Sequence, residues 1–113
     1  MKNLSEEISI VNTEELKDGF RAILYDNSII EVQWDPELKE VEKFHMVELT
    51  RAIKNLGNGK PMRVYSTVYD FVAFSEEALA YSVTEEAERY TLANAVLIDS
   101  LGKKILLNFY LKF

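Results

Sequence analysis

The sequence predicts an α/β domain: a mixed sheet of about four strands with helices packed on it, in the order strand, strand, helix, strand, helix, strand, helix. Three observations carry this prediction. Two short β-rich runs, Phe20 to Tyr25 and Ile29 to Trp34, flank the turn-forming Asp26-Asn27-Ser28 and read as an antiparallel hairpin. Leu38, Val41, His45, Leu49, Ala52, Ile53 and Leu56 recur at steps of three and four, the period of a helix with one buried face. Ala95 to Ile98 is continuously apolar, as in a strand covered by helices on both sides.

Taken in order, residues 1–18 are polar with a small apolar cluster at Ile8, Ile10 and Val11, and periodicity allows either an arm or an edge strand. Residues 19–113 then form a single domain. Pro36 ends the second hairpin strand because it has no amide to continue a ladder. The first helix is expected over Glu37 to Leu56. Gly57-Asn58-Gly59 stops it with residues that tolerate positive φ. Met62 to Tyr69, rich in Val, Tyr and Thr, is the third strand. Ser75-Glu76-Glu77 opens a second helix with a cap acceptor and acids in the positive first turn. Leu79, Val83, Ala87 and Tyr90 supply its apolar stripe.

The closing run from Leu101 fits two periods. Ile105, Leu107, Phe109, Leu111 and Phe113 alternate as in a strand, whereas Lys104, Asn108 and Lys112 line up as the polar stripe of a helix. Ser100 as N-cap, and the short gap after the preceding strand, favour helix.

Bulk properties narrow the function. Nineteen acidic against 13 basic residues give a net charge of −6, which a phosphate backbone repels, and no basic stripe is interleaved with aromatics. Nucleic acid is therefore not an expected partner. No apolar stretch reaches the roughly 18 residues of a membrane span. There is no cysteine, which removes disulfides, thiolate metal sites and cysteine nucleophiles and fits a reducing cytoplasm.

The hairpin "RAILYDNSIIEVQWD", the segment "LGNGKPMRVYS" and the ending "ANAVLIDSLGKKILLNFYLKF" together resemble the STAS-like proteins, a group similar to the sporulation anti-sigma-factor antagonist. Ala93, Ala95, Val96, Leu97, Ile98 and Ser100 match that group's small-apolar strand. Asn108, Phe109, Tyr110, Leu111 and Lys112 match its helix-end signature. The resemblance covers about Phe20 to Phe113 and implies a closing helix and a non-enzymatic regulatory role. Two departures accompany it. Such relatives continue past the final lysine with a Pro-containing link, a strand and a helix, where this sequence stops at Phe113. The antagonist's Asp-Ser-Ser-Gly switch is missing; the corresponding region reads "YDFVAFSEE", so phospho-switching does not transfer to Ser75.

The candidate sites follow from these placements. Ser100 and Lys103 lie where a helix N-terminus could receive an anion, but one glycine and no following hydroxyl fall short of a nucleotide loop, and a plain cap accounts for them. Asp70 ends a predicted strand, where α/β crevices open. Ser75 is a helix cap beside a loop suited to contacts. Phe109 and Phe113 could line an apolar patch or crevice. His45, the single histidine, belongs to the buried stripe of its helix, and Glu85, Glu86 and Glu88 to a solvated face. No nucleophile–base pair or ligand set is recognisable, so no catalytic residue, metal or cofactor is expected. The sequence reads as a protein-interaction module, its partner another protein or a second copy, with a carrier of a small apolar ligand or lipid as the alternative.

Overall fold

A computed structural model describes residues 8–69, 73–100 and 103–111 of the chain. It is an α/β fold. Six strands, β1 (Ile10–Leu16), β2 (Phe20–Tyr25), β3 (Ile29–Trp34), β5 (Met62–Tyr69), β7 (Thr91–Ser100) and β8 (Lys103–Leu111), form one sheet in the order β1-β2-β3-β5-β7-β8. Two further short strands, β4 (Glu40–Val41) and β6 (Ala73–Phe74), pair with each other in parallel. The helices are α1 (Lys43–Leu56), α2 (Glu76–Ser82) and α3 (Glu85–Glu88). The main sheet thus has six strands where about four were expected.

Local chemistry explains the turns. Between β2 and β3, Ser28 takes a left-handed φ of 68° and donates its amide to the Tyr25 carbonyl, while Asn27 Oδ1 accepts from the Ile29 amide. The strands then run antiparallel, with Phe20 opposite Trp34 and Ala22 opposite Val32. At the end of α1, Asn58 has φ 53°. The Gly59 amide reaches the Lys54 carbonyl at 2.9 Å and the Asn58 amide reaches Asn55 at 3.2 Å, the two bonds of a Schellman stop. Gly57 is required by space: a Cβ there would lie 2.6 Å from Met62 Cγ and 2.8 Å from the Lys60 carbonyl oxygen.

β3, β5 and β7 run parallel to one another, each connected to the next through helix. Right-handed crossovers in one direction across a sheet put their helices on one face. Accordingly α1 packs against β1 and β2, α3 packs against β7, and the three helices touch one another. Between them and the sheet lies the core, with Ala22, Ile30, Val32, Trp34 and Val64 from the strands meeting Leu49, Ala52, Ile53, Leu56 and Ala78 from the helices. Among the described residues no helix covers the opposite face, which corrects the expectation of helices on both sides of the strand around Leu97.

Three other expectations change. First, α1 begins at Lys43, not Glu37: Asp35 accepts the Glu37 amide in a turn, and Val41, fully buried, is drawn into the β4–β6 pair opposite Phe74. Second, the helix after Ser75 buries Ala78 and Tyr81, leaving Leu79 and Val83 54% and 65% exposed. Thr84 interrupts it, accepting the Ala87 amide and donating to the Tyr81 carbonyl, and so starts α3. Third, the closing run is not a helix. β8 returns antiparallel along β7, with Ile98 opposite Ile105 and Ser100 opposite Lys103. An antiparallel return needs only a tight turn, so the short gap that excluded a parallel crossover did not exclude a strand.

Candidate functional site

The residues singled out in the sequence do not assemble into one site. Asp70 and Phe113 lie outside the described residues. Ser75 is the N-cap of α2: its Oγ accepts the Ala78 amide at 3.0 Å and its own amide donates to the Val41 carbonyl. Ser100 and Lys103 are the last paired residues of the β7–β8 hairpin, so no helix N-terminus stands there to hold an anion. Phe109 falls at the register shift of that pair, where Asn94 faces Tyr110 and Ala95 faces Asn108. The crevice required by the apolar-ligand alternative, between the sheet and a closing helix, has no closing helix to form it.

His45 is buried, at 4% exposure, on the first turn of α1. Its Nδ1 accepts the Glu42 amide at 2.8 Å, satisfying an otherwise orphaned helix-terminal donor. The Phe44 ring lies 4.0 Å from it, centroid to centroid, and the Trp34 ring meets it edge-on. Burial lowers its pKa, with the Glu42 charge opposing, so the ring is neutral at ordinary pH. An acceptor Nδ1 places the proton on Nε2. This is a structural histidine that joins the start of α1 to the aromatic cluster of Trp34, Phe20 and Phe74.

The more informative surface is the uncovered face of the sheet. Strand alternation that sends Ala22, Ile30, Val32 and Val64 to the helices presents Arg21, Ile23, Glu31, Gln33, Arg63, Tyr65 and Thr67 on the other side. The registers align them in rows across the sheet: Thr13, Ile23, Glu31, Tyr65 and Ala95 in one, Glu15, Arg21, Gln33, Thr67 and Leu97 in the next. Glu31 organises the centre. Its Oε1 accepts the Tyr25 hydroxyl at 2.6 Å and its Oε2 accepts Gln33 Nε2 at 3.3 Å. The hydrogen bond to this carboxylate, with burial and the negative charge adding to it, pushes the Tyr25 phenol up to about 12. Ile23, despite facing away from the helices, is only 3% exposed.

At the end of this face where β3 terminates, a broad groove of about 810 Å³ runs between the β1–β2 turn and Asp35-Pro36. Glu15, Lys17, Asp18, Arg21, Glu31 and Asp35 line it together with Phe20 and Trp34. Such a charged, open lining suits polar contact with a large partner better than enclosure of an apolar molecule. Among the described residues no cluster of three or more His, Asp or Glu side chains could hold a metal ion, and no helix is long and apolar enough to cross a membrane.

Sequence reasoning overlooked this face, although a signal was present. Arg21, Glu31, Gln33 and Arg63 are the polar phase of three strands whose apolar phase defined the core, and a polar phase in a strand is an uncovered face. Comparison with protein-family models, with curated proteins and with solved structures finds no match to this chain.

Proposed function

We propose that this domain is a non-enzymatic interaction module whose contact surface is the uncovered sheet face around Glu31. One observation carries the reading. β3, β5 and β7 form a parallel centre within the mixed sheet, the kind of array that all-parallel sheets cover on both faces, and the described helices lie on one side only. A protein surface laid on Arg21, Gln33, Arg63 and Tyr65 would complete the second layer. Side-chain chemistry there favours recognition over reaction: guanidiniums, an amide, phenols and a carboxylate already engaged by Tyr25 and Gln33. The STAS-like kinship belongs to the same proposal, supported by the matching residues between Ala93 and Lys112; the strand formed by Lys103–Leu111 weighs against it.

The natural chain has no cysteine, so a single introduced thiol is a unique attachment point. A photo-crosslinker on Gln33→Cys, exposed on this face near the end of β3, is expected to capture protein in cells. The same reagent on Lys54→Cys, exposed on α1, is expected to give little. Equal yields from the two positions would refute the assignment of the face.

A further inference from the structure

We infer that the surface completing this sheet is the same face of a second copy of the chain, an inference that rests on the interaction reading above and names its partner. The argument is one of charge and area. The chain carries a net charge of −6, and α2, α3 and their flanks hold much of the excess: Glu76, Glu77, Glu85, Glu86 and Glu88 against Arg89 alone. Two copies approaching through α2 and α3 repel each other. The uncovered face is balanced instead, with Glu15 and Glu31 set against Arg21 and Arg63.

A twofold axis makes an interface self-complementary, so the bases of one copy can meet the acids of the other. Among the described residues none of these four charges forms an ion pair within its own chain; the pairs present are Glu48 with Arg51 and Glu85 with Arg89. The area is adequate. Five inter-strand steps of about 4.8 Å by about 20 Å of strand give roughly 480 Å² of flat face. Side-chain relief raises that toward the ~800 Å² per partner of stable interfaces. Half-buried Tyr65 and Thr67 on the central strand β5 supply the less charged part of this face, with Arg21 and Arg63 near the strand ends.

Sedimentation equilibrium over a range of concentrations tests this. The natural chain is expected to reach twice the 13.1 kDa of a single chain, with a dissociation constant that rises as salt screens the pairs. The charge-reversed doubles R21E/R63E and E15K/E31K should each associate at least tenfold more weakly, and an equimolar mixture of the two should recover the dimer. A natural chain that keeps the single-chain mass throughout overturns the inference, as does a dimer whose constant ignores both salt and the reversed charges. If the chain stays single while Gln33→Cys still captures a different protein, self-association alone fails. If it stays single and captures nothing, the interaction reading fails with it. The salt series requires no substitution, so the outcome does not depend on the variants folding.

Discussion

Acidification should weaken this fold through His45 in a way that a single substitution can isolate. The ring is buried and neutral, its Nδ1 accepting the Glu42 amide at 2.8 Å. Replacing it in His45→Leu keeps a comparable apolar volume among Trp34, Phe44 and Gly19 but leaves that amide without its acceptor. A part-buried donor deprived of its partner costs about 1–3 kcal/mol, and better burial of leucine offsets part of this. The variant should therefore be less stable than the natural protein by about 1–2 kcal/mol at pH 7.5. The sign of the pH effect follows from burial lowering the folded-state pKa. As pH falls below about 6.5 the unfolded chain takes up the proton first, so the contribution of His45 is full above that pH and is lost as pH falls toward the lowered folded value. The leucine variant lacks this loss. Urea unfolding followed by the fluorescence of the single tryptophan, Trp34, should show the gap between the two proteins narrowing from pH 7.5 to 5.5. Carboxylates titrate in both proteins and cancel in the difference. A gap that stays constant or widens on acidification would refute the account of a neutral, hydrogen-bonded ring.

Gly57→Ala should lower the urea midpoint, by about 1–2 kcal/mol of stability: overpacking against Met62 Cγ and the Lys60 carbonyl outweighs the smaller gain from a stiffer unfolded chain. Ser75→Ala removes the acceptor of the Ala78 amide and should cost about 1 kcal/mol in the same assay, with Ser75→Gly nearer neutral. Tyr25→Phe should delete from the alkaline ultraviolet titration the tyrosine step with its midpoint near 12. Because that pKa is raised, the natural protein's advantage over Tyr25→Phe is held below pH 10 and declines above it.

Much of this architecture is legible where local chemistry and tertiary demand agree. β2, β3 and β5 occupy the residues expected of them because β-branched and aromatic runs there are bounded by residues that can only turn or break: Asn27-Ser28, Pro36 and Gly57-Asn58-Gly59. Ser75 caps a helix as its hydroxyl and the two following glutamates foretell. Where a residue satisfies two periods at once, the sequence stops deciding. Val41 continues the spacing of the α1 stripe, yet it is buried four residues before that spacing would matter, in a two-residue strand whose partner lies 33 positions further on. Leu79 and Val83 look like a core stripe because they are large; the smaller Ala78 and the amphipathic Tyr81 take that face, and Tyr81 keeps its hydroxyl on Glu86 at 2.6 Å. Helix propensity ranks residues by backbone cost, and cannot rank which of two neighbouring faces a tertiary partner will select.

The closing segment carries the same lesson to the functional question. Ile105 to Leu111 fits a helix and a strand equally, and the choice between them decides whether the sheet has a second layer of its own. A helix crossing back from β7 could have covered the free face; a strand paired with β7 widens that face instead. Every added strand brings more sheet that the three helices on the other side cannot cover, and the parallel centre is where such exposure is least tolerated. The charges there make the face hydrophilic in the isolated chain and are balanced enough not to oppose a copy of themselves. Arg21 and Arg63 flank Glu31 from the strands on either side, so the same three residues that make the face hydrophilic also make it complementary to its own image. Reversing their signs in one copy and compensating in the other separates those two roles, because solvation is indifferent to the exchange and pairing is not.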